Sequence, residues 1–253
     1  MPDLLAQVWA TPGLIWLMLA ISVAGIVRGF TGFGTALVFV PVAGIFLQPQ
    51  AVIAVITLTG LASMAALLPR AWGQADRPEV GVLVFAAVLT VPLGLLLLDM
   101  IDRETVRWIV SGVAAVTLVA LLAGWRFSGQ VSRLGLLAIG AVAGVIGGLT
   151  GLTGPVVILF YLAGQNAAQS VRANTILFLA ALDLVIVCNL VLRQSLGWDL
   201  VLLALLLAVP YFITSLIGQS LFDPRHERLY RGAAYAVIAL ALISGLPIWS
   251  GKG

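Results

Sequence analysis

GFTGFGTALVFVP, from Gly29 to Pro41, places three glycines, Gly29, Gly32 and Gly34, inside an otherwise apolar run. That run extends from residue 13 to residue 48, and Arg28 is its only charged side chain. As one helix rising ~1.5 Å per residue it would be roughly 54 Å long, against a hydrocarbon core of about 30 Å. The segment is therefore expected to fold back on itself, turning at the glycines.

The rest of the chain supports a bilayer as its solvent. Of 253 residues, 62% are hydrophobic and 9% charged, and the mean hydropathy is +1.15. So little surface charge excludes a water-soluble domain of this length. No Lys or Arg precedes Arg28, so the N-terminus lacks the basic stretch of a cleaved signal peptide and is expected to remain as the first membrane segment. A single cysteine, Cys188, excludes an intramolecular disulfide and a multi-cysteine metal site. The net charge of +3 falls mostly in short polar breaks, which reads as topology signal and not as a nucleic-acid surface. Those breaks leave blocks at 51–68, 80–98, 107–124, 171–192, 199–221 and 229–248, each suited to one spanning helix.

A second stretch, 133–163, resists division in the same way, and its centre GVIGGLTGLTGP repeats the first. At an offset of 119, Gly25/Gly144, Gly29/Gly148, Thr31/Thr150, Gly32/Gly151 and Val38/Val157 coincide, and the ungapped alignment adds Gln50/Gln169, Val52/Val171 and Ala54/Ala173. The chain reads as a duplication, residues 1–128 and 129–253. If each Gly-rich block is a hairpin that enters and leaves on one side, one membrane face holds Arg70, Arg77, Arg126, Arg133, Arg172, Arg225, Arg228 and Arg231, and the other only Arg103, Arg107, Arg193 and Lys252. A single-crossing reading divides these bases evenly, so the positive-inside rule favours hairpins, with both termini outside. Each half then makes an odd number of traverses and the second is inverted. The expected fold class is an all-α polytopic membrane protein of two inverted repeats, each opening with a Gly-rich broken-helix hairpin, with about 8 to 10 membrane segments.

Backbone that leaves the helix at membrane depth is tolerated where it is buried in protein or lines a water-filled cavity. A helix restarting after such a break aims free N–H groups and its positive dipole end at the turn, which suits an anion. The expected substrate-binding residues are accordingly Thr31, Gly32, Phe33, Gly34 and Thr35 in the first turn, and Thr150, Gly151, Leu152, Thr153 and Gly154 in the second. The competing role for the glycines is close helix packing. Arg28 joins the site because a guanidinium in an apolar block needs a cavity or a partner, and its planar fork suits oxyanions. Asp183, central in its block, is the expected coupling residue or partner of Arg28. Asn174 lies nearer the second hairpin and is added to the substrate-binding set, whereas interhelical hydrogen bonding is expected of Asn189. Gln219 and Ser63 are weaker candidates. His226 sits in the polar turn DPRHER and is expected to be solvated. Trp16, Trp72, Trp108, Trp125, Trp198 and Trp249 fall near segment ends, as interfacial anchors do. Absence of a Walker pattern, metal-ligand spacing or nucleophile elbow argues against catalysis, a metal or another cofactor.

With GFTGFGTALVFVP and GLTGLTGPVVILFY opening its two halves, the chain resembles the sulfite exporter TauE/SafE family of membrane permeases over essentially its whole length. The resemblance implies secondary transport of small sulfur-containing anions, such as sulfite, sulfonates or sulfoacetate, across the bacterial cytoplasmic membrane. The sequence departs from a common form of the motifs at Arg28 and Thr35, and at Thr153 and Pro155, which leaves the substrate open. The expected partners are a small anion and the lipid bilayer, with no nucleic acid; a homo-oligomer is compatible with the sequence. Two rival readings are a passive anion channel and a non-transporting anchor subunit, although the latter lacks the sizeable polar loop it would use.

Overall fold

A computed structural model describes residues 2–124, 131–163, 168–221 and 227–249, and those residues are helical apart from short links. The helices are α1 (Pro2–Trp9), α2 (Leu14–Thr31), α3 (Thr35–Phe46), α4 (Pro49–Gln74), α5 (Arg77–Met100), α6 (Arg103–Leu122), α7 (Arg133–Thr150), α8 (Pro155–Ala163), α9 (Ala168–Leu192), α10 (Trp198–Leu221) and α11 (Glu227–Gly245), followed by a 3-10 turn at Pro247–Trp249. Polar breaks in the sequence supply the helix starts. Asp76 accepts from Glu79 N–H, Asp102 from Thr105 N–H and Ser132 from Gly135 N–H, each satisfying an N–H that the first turn leaves open. The Thr105 hydroxyl and amide hold the Asp102 carboxyl below the usual range. This cap therefore persists at neutral pH and is lost only as the pH falls through that lowered pKa.

Among the described residues five helices, α5, α6, α7, the Ala173–Leu192 part of α9, and α10, are long and apolar enough to cross a bilayer. Leu14–Gly29, Thr35–Phe46, Pro49–Leu61 and Leu229–Gly245 are shorter apolar stretches. Large side chains such as Phe85, Leu89, Val116 and Leu205 are exposed on the outer surface, as a lipid-facing surface requires. Trp9, Trp16, Trp72, Trp108 and Trp198 are exposed close to helix ends, where tryptophan anchors at the interface.

Contacts fix the direction of each helix. Asn174, early in α9, bonds Asp76 and Glu79 at the start of α5. Arg193, just past the end of α9, bonds Asp99 and Pro92 toward the end of α5, so these two helices run parallel. Because α4 ends where α5 begins, α4 and α9 are antiparallel. Gly25 and Gly29 of α2 meet Thr214 and Gly218 of α10 in rising order, and Gly144 and Gly148 of α7 meet Thr90 and Gly94 of α5 in the same way. Both pairs are parallel, which starts α2 on one face and α7 on the other. Arg103 donates to Gly44 O and Ile45 O at 3.0 Å, bringing the end of α3 back to the face where α2 began. On the opposite face, Tyr161 near the end of α8 lies beside Glu79 and Asn174. The two hairpins thus open on opposite faces, and the repeats are inverted.

The duplication extends to element boundaries: α2 shifted by 119 coincides with α7. It also reaches past the point where the ungapped alignment ends. Thr90 and Gly94 correspond to Thr214 and Gly218 through their packing on equivalent glycines. The expected glycine packing and glycine turns both occur, at different glycines: 25, 29, 144 and 148 sit against neighbouring helices, while 32, 34 and 151 carry positive φ. On described backbone, Arg70, Arg77, Arg133, Arg172, Arg228 and Arg231 lie toward one face and Arg103, Arg107 and Arg193 toward the other, as the hairpin reading expects. Arg126, Arg225, His226, Trp125, Lys252 and the 128/129 boundary lie outside the described residues.

Arg193 Nη1 and Asp99 Oδ2 form an ion pair at 2.8 Å, with the Asp99 side chain 53% exposed. Such a pair is worth at most about 1 kcal/mol. Asp99→Asn is expected to leave the thermal unfolding midpoint in detergent nearly unchanged.

Candidate anion site

The two turns are built alike. α2 ends at Gly32, φ 78°, whose N–H bonds Arg28 O at 2.7 Å, and α3 begins after Gly34, φ 95°. Thr31 Oγ1 donates to Val27 O at 2.8 Å and accepts from Phe33 N–H at 3.2 Å. In the second half, Gly151 has φ 74° and bonds Gly147 O at 2.9 Å. There Thr150 Oγ1 donates to Ile146 O at 2.6 Å and accepts from Leu152 N–H at 3.1 Å. Left-handed backbone at these three positions demands glycine, and the preceding threonine ties off the loose helix end.

Beyond the turns the halves differ. In α3 the first amide with a partner inside the helix is Val38 N–H, on Gly34 O at 3.1 Å, and the cap position carries no side chain. The N–H groups of Thr35, Ala36 and Leu37 thus have no intrahelical acceptor and stand at the positive end of the dipole. α8 begins with Pro155, which has no N–H, so the second turn is the weaker anion donor.

Gly34 to Leu37 and Thr153 to Pro155 line one cavity together with Arg28, Ile56, Gly60, Met64, Ile158, Leu179, Asp183 and Tyr211, about 470 Å³ including its open mouth. Ile56, Gly60, Leu179 and Asp183 come from the middle portions of α4 and α9, which places the cavity at mid-depth. Arg28 is half-buried, and its Nη2 meets Met64 Sδ at 3.3 Å. A thioether is a poor acceptor, so among the described residues most of the guanidinium's donors meet no strong acceptor. Asp183 is 6% exposed, with the Thr153 side chain beside its carboxylate. Its Oδ2 lies against Gly60, where a Cβ would come within 2.5 Å of it. Among the described residues no ion pair joins Arg28 to Asp183. A cation and a carboxylate therefore share the cavity without a direct ion pair between them.

The charged groups break the repeat. At the offset of 119, Gly147 stands in place of Arg28, Met64 in place of Asp183 and Gly154 in place of Thr35. One half supplies the cation and the other the carboxylate.

Of the residues expected from sequence, Arg28, Gly34, Thr35, Thr153, Gly154 and Asp183 line this cavity. Thr31 and Thr150 direct their hydroxyls to their own turns, Phe33 packs with Leu121 and Ile158, and Leu152 is buried in the core. Gly32 faces open space, while Gly151 abuts Ile53 and Ile56. Asn174 accepts from Asp76 N–H at 2.8 Å and donates to Glu79 Oε1 at 3.3 Å, tying α9 to α5 away from the cavity lining. Asn189 differs from expectation: it donates to Val185 O at 2.9 Å within its own helix, an acceptor its position four residues on brings into reach. Sequence reasoning missed Tyr211 and Met64. Met64 was legible as the repeat counterpart of Asp183; Tyr211 required the altered offset between α5 and α10.

Because the threonine hydroxyls satisfy turn amides, Thr31→Val and Thr150→Val are each expected to cost about 1 kcal/mol of stability. Anion affinity should change little, which a thermal melt paired with a binding titration checks.

Inverted repeats whose broken helices meet at a mid-depth cavity define a polytopic protein with the architecture of secondary transporters. The chain belongs to the sulfite exporter TauE/SafE family, a family of membrane permeases, whose model matches residues 17–245. No curated protein and no solved structure matches the chain.

Proposed function

We propose that this chain is a proton-coupled secondary transporter of small sulfur oxyanions of the sulfite, sulfonate or sulfoacetate type, and not an enzyme. The observation that carries the reading is the placement of the Arg28 guanidinium, which among the described residues bonds only a thioether, in one cavity with the α3 N-terminal amides and the buried Asp183. The family supports sulfur-anion chemistry and transport. An anion bound by Arg28 and the α3 N-terminus is matched in charge, and Asp183, lining the same cavity, is the proton carrier of this reading. Rocking of the two repeats about the shared turns would then expose this site to one face at a time. The arginine-rich face is the cytoplasmic one by the positive-inside rule, in a bacterial inner membrane.

Flux of labelled sulfite, sulfoacetate and taurine into proteoliposomes, with and without an imposed pH gradient, tests the reading. The wild type is expected to move at least one of them saturably and faster with the gradient. Asp183→Asn should retain exchange of the anion and lose the response to the gradient. A gradient response that survives in Asp183→Asn would remove the aspartate from coupling.

A further inference from the structure

Tyr211 OH and Thr35 Oγ1 are 2.9 Å apart, and either can donate to the other. Tyr211 is 1% exposed and Thr35 7%, and both line the cavity that holds Arg28. Each hydroxyl carries one hydrogen, and the bond between them uses one of the two. Whichever oxygen accepts therefore keeps an O–H with no acceptor among the described residues. A buried donor without an acceptor is costly and is seldom retained without reason.

The fold does not need this pair. The hairpin of the second half forms its glycine turn with Gly154 at the position of Thr35, and α5, the helix it packs on, carries Ala87 at the position of Tyr211, the latter through the correspondence of Thr90 with Thr214 and Gly94 with Gly218. The hydroxyls occur only on the side that also carries Arg28 and the three free α3 amides.

We infer that Thr35 and Tyr211 form an oxygen-binding subsite, in which the spare O–H donates to one oxygen of the anion while Arg28 holds the others. This rests on the anion-transport reading and deepens it. Directed hydrogen bonds from a hydroxyl pair and a planar fork select an anion with several oxygens on one centre over a spherical halide. A site built around a hydrogen bond to substrate discriminates strongly against ligands that cannot make it.

The test is sulfite flux into proteoliposomes, with chloride as competitor, for the wild type, Tyr211→Phe, Thr35→Val and Thr35→Ser. Tyr211→Phe and Thr35→Val are expected to raise the KM for sulfite about 10- to 100-fold, the loss of one hydrogen bond to a charged group. Inhibition by chloride should be unchanged, and Thr35→Ser, which keeps the hydroxyl, should restore the KM to within about threefold. A wild-type KM in Tyr211→Phe, or an equal weakening of sulfite and chloride in both hydroxyl-deleting variants, would overturn the subsite and leave anion transport standing. Absence of saturable sulfite flux in the wild type would sink both. Should Thr35→Val fail to fold, Tyr211→Phe, which removes one buried oxygen and no carbon, decides the matter alone.

Discussion

Arg28→Ala is expected to reduce anion transport at low substrate concentration by roughly 100-fold or more, because it removes two or more charge-assisted hydrogen bonds at about 1.5–3 kcal/mol each. The effect should appear in KM before kcat if the guanidinium holds the anion equally through the cycle. Arg28→Lys keeps the charge and gives up the fork, so it should fall between the two. Folding should survive, since among the described residues the guanidinium bonds only the Met64 thioether, and Gly147 already occupies the equivalent position of the other half. The comparison requires proteoliposome flux beside a thermal melt of the same preparations. Wild-type KM in Arg28→Ala would turn the arginine into a topology anchor.

Bulky substitution at the helix-packing glycines should have the largest effect on the fold itself. A Cβ on Gly29 would lie 2.6 Å from Gly218 Cα, and one on Gly148 would lie 2.6 Å from Val91 O. In both cases the obstacle is backbone, which cannot rotate away as a side chain does. Gly29→Leu and Gly148→Leu should therefore force α2 from α10 or α7 from α5, costing more than the roughly 1–3 kcal/mol usual for overpacking. Little monodisperse protein should be recovered on size exclusion in detergent. Gly32→Ala is the contrasting case: a Cβ there meets nothing within 4 Å, so only its left-handed backbone is penalised, by about 1–2 kcal/mol. Full recovery of both leucine variants would contradict the packing of these helices.

Much of this architecture is legible in the chain because length and repetition are global signals. A 36-residue apolar run cannot cross once, and its duplicate must do the same, so both hairpins follow from simple geometry. The distribution of arginines then favours the inversion, and the described helix ends agree with it. Site residues are harder to read. Thr31, Thr35, Thr150 and Thr153 look equivalent as letters, yet two of them tie off helix ends while two face the cavity, a distinction set by which side of a left-handed glycine they occupy. Asn174 resembles an intramembrane ligand, but its place early in α9 puts it beside the amide of Asp76. Tyr211 reads as one more aromatic residue in an apolar helix until the crossing of α10 with the first hairpin brings its hydroxyl to Thr35.

On the proposed mechanism an anion is held between the two turns and carried by alternating exposure, not conducted through an open pore. Counterflow tests it most directly. Proteoliposomes loaded with unlabelled sulfite are diluted into a trace of labelled sulfite, and internal label is followed with time. A carrier with one alternately exposed site gives a transient accumulation of label above equilibrium, abolished in Arg28→Ala. Simple approach to equilibrium without that overshoot, at a rate indifferent to the unlabelled anion inside, would describe a channel and contradict the account.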